Sequence, residues 1–131
     1  MTEYGSEHKT RGVSISVEPE FVPQKSNPMD HEWLFVYHVI IKNEGQETVQ
    51  LLTRHWVITD GDGNEQHIKG EGVVGETPVL QKGQQFAYTS FCPLHTPMGS
   101  MQGSYHFRSE TGAEFDAAIA PFLLAEPGTF N

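Results

Sequence analysis

The sequence has few of the features that mark a secreted or membrane-spanning protein. It contains one cysteine, Cys92, so no intrachain disulfide can form, and a lone thiol is typical of a reducing compartment. No apolar run approaches the ~20 residues needed to cross a bilayer, and residues 1–10 lack the apolar core of a signal peptide. The sequence therefore predicts a cytoplasmic protein with no membrane contact.

Basic residues are also scarce. The chain of 131 residues carries 8 lysines and arginines against 17 acidic residues, a formal net charge of −9, and the basic residues are spread along its length. Nucleic-acid binding depends on clustered cations that neutralise phosphates. The composition therefore predicts a protein that binds no DNA or RNA.

Helical periodicity is missing as well, and short strand patterns take its place. Apolar residues alternate with polar ones, or run together briefly, between turn residues. The predicted strands are residues 13–22, 33–41, 49–59, 86–91, 101–107 and 115–119. Residues 65–69 are polar and residues 70–78 are rich in glycine, so both segments indicate a loop or irregular edge.

Two of these strands carry further information. Residues 33–41 are apolar on both parities, as expected of a central strand that is covered on both faces. In the next strand Val49, Leu51 and Val57 share one parity, so they are expected to face the core together. These patterns define the expected core.

About seven short strands without a helix predict an all-β antiparallel sandwich of immunoglobulin or fibronectin type III character. A closed barrel is the alternative. No repeat and no break in composition divides the chain. Residues 1–131 are therefore expected to form one domain, with loosely ordered ends at about 1–10 and 126–131.

Three segments resemble the ApaG family. They are VQLLTRHWVITDGDGN (49–64), KGEGVVGETPVL (69–80) and FAYTSFCPLHTPMGSMQGSY (86–105), and they stand in the family's order and spacing. The resemblance implies a fibronectin type III-like sandwich that occurs alone in bacteria. It also occurs as an interaction module within larger eukaryotic proteins, including F-box proteins and a polymerase-interacting protein. Further implied associations are cobalt tolerance, magnesium efflux and dinucleoside tetraphosphate metabolism, but no reaction is named.

The segment GEGVVG, residues 70–75, matches the G-x-G-x-x-G pattern of dinucleotide-binding folds. Pro78 and the surrounding strand pattern exclude the helix that such a fold requires. Two interpretations remain open. In one, the glycines only let the chain turn beside a neighbouring strand. In the other, backbone amides form a nest for phosphate, pyrophosphate or a dinucleoside polyphosphate. The candidate anion-binding residues are Gly70, Gly72, Val73, Val74 and Gly75.

Arg54 and Trp56 form a candidate interaction surface. They share a parity, so in a regular strand their side chains face the same side. Arginine and tryptophan carry much of the binding energy of protein interfaces when a partner removes water from them. The alternative is that Trp56 fills the core and Arg54 is solvated or paired internally.

No metal site, cofactor or catalytic residue is predicted. None of the seven histidines is paired at i and i+2, as a metal site on a strand prefers, although neighbouring strands could gather His38, His55 and His106. Cys92 lies near His95 but within no recognisable nucleophile motif, so it is expected to be a small buried side chain.

The sequence thus predicts a non-catalytic binding module. The leading hypothesis is recognition of an unidentified protein partner, with an indirect link to Co²⁺ and Mg²⁺ homeostasis that the family resemblance implies. The alternative is binding of a phosphorylated small molecule by residues 70–75, and hydrolysis of such a nucleotide is the third hypothesis. An exposed sheet edge could also support a homodimer.

Overall fold

Nine β-strands make up most of residues 4–128, the part of the chain that the computed structural model describes. They are β1 (Ser6–Thr10), β2 (Val13–Phe21), β3 (Trp33–Asn43), β4 (Val49–Asp60), β5 (Glu65–Glu71), β6 (Val79–Leu80), β7 (Gln85–Leu94), β8 (Met98–Ser109) and β9 (Glu114–Ala125). Two short 3₁₀ turns, Pro23–Lys25 and Pro28–Asp30, join β2 to β3. None of the described residues forms a helix that is long and apolar enough to span a membrane. Residues 1–3 and 129–131 of the predicted loose ends lie outside the described residues.

The strands form two antiparallel sheets. The order in the first sheet is β1-β2-β3-β7, and in the second it is β5-β4-β8-β9, with β6 also pairing with β4. Every second residue of β3 is buried from Trp33 to Asn43, because this face of the first sheet packs on the second sheet. The two sheets confirm the predicted all-β sandwich and exclude the closed barrel.

Aromatic side chains fill the middle of the core. The Trp56 ring lies 5.3 Å from Tyr37, 6.1 Å from Tyr105 and 5.9 Å from Phe122, measured between ring centroids. All three contacts are edge-on, an arrangement that stabilises the fold beyond the burial of apolar area alone. Trp56 on β4 therefore links the first sheet, through Tyr37, to β8 and β9 of the second.

Two strands lie where the sequence pattern predicts none. β1 occupies residues 6–10 of the expected loose end, and β5 occupies residues 65–71, where a loop or irregular edge is expected. Both are edge strands, and most of their side chains are exposed. Because an edge strand with few core side chains shows little apolar alternation, the sequence pattern does not reveal it.

A β-bulge in β4 reverses which residues face the core. The register against β8 shifts between Leu51 and Thr53, so Leu52 is an extra residue on β4. Leu51 is buried before the bulge and Trp56 is buried after it, although the two positions differ in parity. The prediction that Val57 faces the core with Leu51 is therefore wrong, and Val57 lies half-buried on the outer face.

The two long sides of the sandwich differ. Between β1 and β9 the Ser6 hydroxyl donates to the Ala120 carbonyl at 2.8 Å, and the Leu123 amide donates to the Tyr4 carbonyl at 3.0 Å. On the opposite side, no backbone hydrogen bond among the described residues joins the edges of β5 and β7. The sandwich is thus closed along β1 and β9 and open along β5 and β7.

Candidate functional site

Two amides of the glycine segment are occupied by hydrogen bonds within the protein. Gly70 lies within β5. The amides of Gly72 and Val73 donate to the carbonyls of Leu52 and Glu76, at 2.8 Å each. An amide that already donates to a carbonyl is not available to hold a phosphate. Two of the five candidate anion-binding residues are therefore bonded within the protein itself.

The conformation of the same segment accounts for its later glycines. Gly72 has φ +61°, and a Cβ on it would stand 2.2 Å from the Glu76 carbonyl oxygen. Val74 and Gly75 also have positive φ values, 44° and 81°. Only glycine enters this region without steric cost, so the turn itself requires glycines here. The geometry favours the interpretation in which the segment turns the chain.

Arg54 is half-buried and is held against β5 by the first part of this segment. Its Nη1 donates to the carbonyl oxygens of Glu71 and Gly72, at 2.9 Å each. Its guanidinium lies over Gly70, the residue opposite Arg54 on β5, where a Cβ would stand 2.7 Å from Nη2. Gly70 therefore leaves the space that the guanidinium occupies.

The prediction of an Arg54–Trp56 interaction surface requires correction. Both side chains border the space between the sheets, and Trp56 is only 3% exposed. The Trp56 indole packs edge-on against the Tyr105 ring, and the Tyr105 hydroxyl shares a hydrogen bond with the Tyr88 hydroxyl. Because a side chain buried in this way cannot contact a partner, the alternative is correct for Trp56, which fills the core.

Histidines gather on the outer face of the second sheet. His55 of β4 and His67 of β5 share a hydrogen bond, with Nε2 of His55 2.9 Å from Nδ1 of His67. His106 of β8 lies opposite Thr53, so it belongs to the same face. His38 instead contacts Thr89 of β7, at 2.8 Å, on the outer face of the first sheet. The two sheets therefore separate His38 from His55 and His106, which the sequence alone allowed to meet.

His106 is bound by carboxylates on both ring nitrogens. Nδ1 lies 2.8 Å from Asp116 and Nε2 lies 2.7 Å from Glu114. The hydrogen bond to Glu114, followed by that to Asp116, raises the pKa of the His106 imidazole. Among residues 4–128, no group of three or more histidine, cysteine or acidic side chains is placed to hold a metal ion.

Cys92 and His95 do not form a reactive pair. Cys92 is 2% exposed, and burial raises the pKa of its thiol to about 12. His95 points elsewhere, with Nδ1 3.2 Å from the carbonyl oxygen of His31. A thiol reacts as a nucleophile through its thiolate, which burial disfavours here. The arrangement fits the expected small buried side chain.

The outer face of the first sheet carries apolar side chains on β3 and β7, here called the apolar strip. Its members pair across the two strands, as Leu34 with Pro93, Val36 with Phe91, and Ile40 with Ala87. Phe91 is 65% exposed and Ile40 is 42% exposed, so no described part of the chain covers the strip. The expectation that both faces of β3 are covered is therefore wrong for residues 4–128. β3 thus has apolar residues on both faces. One face packs in the core, and the other is exposed to solvent in the described part of the chain.

Comparison with known proteins points to one family. A family model described as the ApaG domain matches residues 23–109. Protein ApaG of Bradyrhizobium sp. (strain ORS 278) is 52% identical over 118 residues, which cover 90% of this chain and 91% of the relative. Protein ApaG of Bordetella pertussis (strain Tohama I) is 46% identical over 123 residues, which cover 94% of each. The crystal structure of an ApaA protein from Bordetella pertussis matches with a TM-score of 0.87 and 47% identity, and it covers 89% of this chain and 95% of that one.

Proposed function

The chain belongs to the ApaG family, and we propose that it is a non-catalytic binding module that docks a partner protein on the apolar strip of its first sheet. The observation that carries this proposal is the composition of β3. A sheet with one solvated face normally alternates apolar and polar residues. β3 instead places Leu34, Val36 and Ile40 on its outer side, interrupted by His38 alone. Val36 lies opposite the exposed aromatic residue Phe91 on β7.

The strip has the character of an interface. Exposed apolar residues that adjoin each other mark interaction sites more often than scattered ones do. Phe91 supplies a large aromatic anchor that is 65% exposed. The outer face of the second sheet differs, because it presents polar groups such as His55, Ser104 and His106. The proposal therefore selects one of the two outer faces.

The negative charge of the chain indicates which residues a partner would carry around its contact patch. The chain has a net charge of −9. Within the strip, between Val36 and Ile40, His38 contacts Glu20, whose side chain is 66% exposed. A partner with an apolar patch and a basic rim complements such a surface, and this complementarity would speed association at low salt. We therefore expect a cytoplasmic partner with basic residues around its contact patch.

The remaining features fit binding better than catalysis. The single thiol is buried, and His106 is bound on both sides by carboxylates. The family association with Co²⁺ and Mg²⁺ homeostasis is then indirect and passes through the partner protein. In this proposal the chain itself provides a surface and holds no ion.

The test uses a photoreactive amino acid at Ala87, within the strip, and at Gln102, on the outer face of the second sheet. Crosslinking in cells from position 87 is expected to capture one partner that position 102 does not capture. Capture of the same proteins from both positions would contradict the choice of face. Capture of only a second copy of this chain from position 87 would replace the partner by a homodimer.

Variants of the strip provide the second arm of the test. The double substitution of Phe91→Ser and Ile40→Ser is expected to remove most of the captured partner, because both side chains are exposed and apolar. Exposed substitutions usually change stability within about 0.5 kcal/mol, so the variant is expected to stay folded. The matched control is Leu123→Ser on β9, which is 38% exposed. Unchanged capture by a folded double variant would overturn the proposal.

A further inference from the structure

The open side of the sandwich contains a cavity between the edges of β5 and β7. Its volume is about 240 Å³, below the ~300–1,000 Å³ of sites for drug-sized ligands. Its walls combine apolar and polar groups. The apolar part includes Tyr37, Trp56, Ile68 and Met101, and the polar groups are those of Arg54, Gln66 and Ser90. The cavity therefore suits a body of roughly the size of one aromatic side chain, together with one polar group.

The polar group that the cavity can bind is anionic. No aspartate or glutamate lines the cavity. Arg54 forms no ion pair with any carboxylate among the described residues. Its Nη1 is occupied by two backbone carbonyls, which leaves the Nη2 and Nε N–H groups without a partner in the described part of the chain. Among the described residues, the guanidinium at this cavity therefore has no carboxylate as counter-ion.

The neighbouring hydroxyls do not supply that counter-ion. Burial raises the pKa of Tyr37, Tyr88 and Tyr105, so these phenols stay neutral at physiological pH. The thiol of Cys92 is neutral for the same reason. The charge of Arg54 is therefore not balanced from within the cavity.

Gly70 allows the Arg54 guanidinium to lie where it can bind an anionic group. The Cζ, Nη1 and Nη2 atoms of Arg54 all lie within 2.7–2.9 Å of the place where a Cβ on Gly70 would stand. The guanidinium is thus stacked flat on β5, with Nη1 bonded to the carbonyls that follow. Its Nη2 and Nε edge is the one that a planar carboxylate engages with two parallel hydrogen bonds.

We infer that this cavity binds a compact organic monocarboxylate, with the carboxylate on the free edge of Arg54 and the apolar body against Tyr37 and Trp56. The inference does not depend on the proposed docking of a protein on the apolar strip. It also gives Gly70, the first glycine of the G-x-G-x-x-G pattern, a structural role: its missing side chain leaves room for the Arg54 guanidinium. Phe91 borders both the cavity and the strip, so it is not used in the test.

The first experiment titrates the ¹⁵N-labelled full chain with phenylacetate and, separately, with phenylacetamide. Phenylacetate is expected to produce saturable amide shifts at Gly70, Ser90 and their neighbours at millimolar concentration. Phenylacetamide keeps the shape and loses the charge, so it is expected to bind at least about tenfold more weakly. Equal binding of the two compounds, or the absence of saturable shifts at the cavity, would overturn the inference.

Variants separate a ligand site from a structural role of Arg54. Arg54→Gln and Gly70→Ala are each expected to weaken phenylacetate binding by at least about tenfold, the first by removing the charge and the second by displacing it. Arg54→Lys keeps the charge without the two-bond geometry and is expected to lose part of the affinity. The matched controls are Arg108→Gln, on the exposed part of β8, and Gly45→Ala, where a Cβ meets nothing closer than 3.4 Å.

The variants are chosen so that one failure to fold does not end the test. Glutamine at position 54 can still donate to one of the two backbone carbonyls, and Gly70→Ala leaves the arginine in the chain. Unfolding midpoints and amide spectra establish which variants remain folded. If either folded variant binds phenylacetate as tightly as the unchanged chain does, Arg54 is not the anion ligand and the inference fails.

Discussion

At the scale of single residues, burial determines what Cys92 can do. Its side chain lies between the sheets with 2% exposure, and burial raises the pKa of the thiol to about 12. At pH 8 the thiolate is therefore a minor species, and the reagent also lacks access. We predict that iodoacetamide alkylates Cys92 only after unfolding. Mass spectrometry with and without denaturant checks this, and rapid alkylation of the folded protein would contradict it.

His106 provides a second test at this scale. Hydrogen bonds to Glu114 and Asp116 raise the pKa of its imidazole above the usual value of 6.5. We predict that an NMR titration of the His106 ring gives a midpoint above 6.5, and that Glu114→Gln lowers it. Ser104→Ala, on the same strand but outside these hydrogen bonds, is the control and is expected to leave the midpoint unchanged.

The raised pKa of His106 also fixes the sign of a pH effect on stability. The folded protein favours the protonated imidazole, so the hydrogen bonds of His106 stabilise the fold when the ring is charged. This contribution to the free energy of unfolding is fully present below the unfolded pKa and is lost as pH rises through the folded pKa. The Glu114→Gln variant is therefore expected to lose more stability at about pH 5.5, below the titration of His106, than at about pH 9, above it. The side chain is 33% exposed, so solvent screening keeps the effect small.

At the scale of strands, Gly103 shows a close approach between neighbours. It lies opposite Trp56 in the β4–β8 pair, where a Cβ would stand 2.0 Å from the His55 carbonyl oxygen. The clash is with backbone in the middle of a sheet, so no side-chain rotation relieves it. We predict that Gly103→Ala destabilises the fold by about 1–3 kcal/mol, as overpacking does.

Urea unfolding of Gly103→Ala and of Gly45→Ala checks this prediction. A Cβ on Gly45 makes only ordinary contacts, at 3.4 Å and beyond, so that variant is the matched control. The transition of Gly103→Ala is expected at a clearly lower urea concentration. Coincident transitions of the two variants would show that the β4–β8 pair can separate locally at little cost.

Strands that contribute many side chains to the core could be predicted from the sequence. Alternation in β2, β8 and β9, and the apolar run of β3, identify these elements because burial imposes the period of two on their residues. The polar edge strands β1 and β5 escape the same reasoning, because little of them is buried. The bulge at Leu52 escapes it as well, since an inserted residue changes parity without leaving a mark in composition.

At the scale of the whole molecule, the candidate sites depend on pairing between distant segments. Arg54 and Gly70 meet only because β4 and β5 pair in one register, and the sequence gives no signal for that register. The apolar strip differs, because its residues are visible in the sequence as a strand that is apolar on both parities. What the sequence lacks is the topology that leaves one of these faces uncovered. The residues of both sites could thus be identified from the sequence, but which of them lie next to each other could not.

The last prediction concerns how much of the chain the fold requires. The matched family model covers residues 23–109, which leaves out β1, β2 and β9. β2 pairs with β3 along nine residue pairs and contributes buried Val13, Ile15 and Val17. β9 pairs with β8 and places Phe122 against Trp56, at 5.9 Å between ring centroids.

We predict that a chain of residues 23–109 alone does not fold. Each large buried side chain that is lost removes about 1.5–3 kcal/mol of burial, and the total stability of a domain is only about 5–15 kcal/mol. The single substitution Phe122→Ala in the full chain is expected to cost about 3–5 kcal/mol and to keep the fold. Circular dichroism and amide shift dispersion distinguish these outcomes. Cooperative unfolding of the 23–109 fragment would show that the core is held by β3, β4, β7 and β8 without β2 and β9.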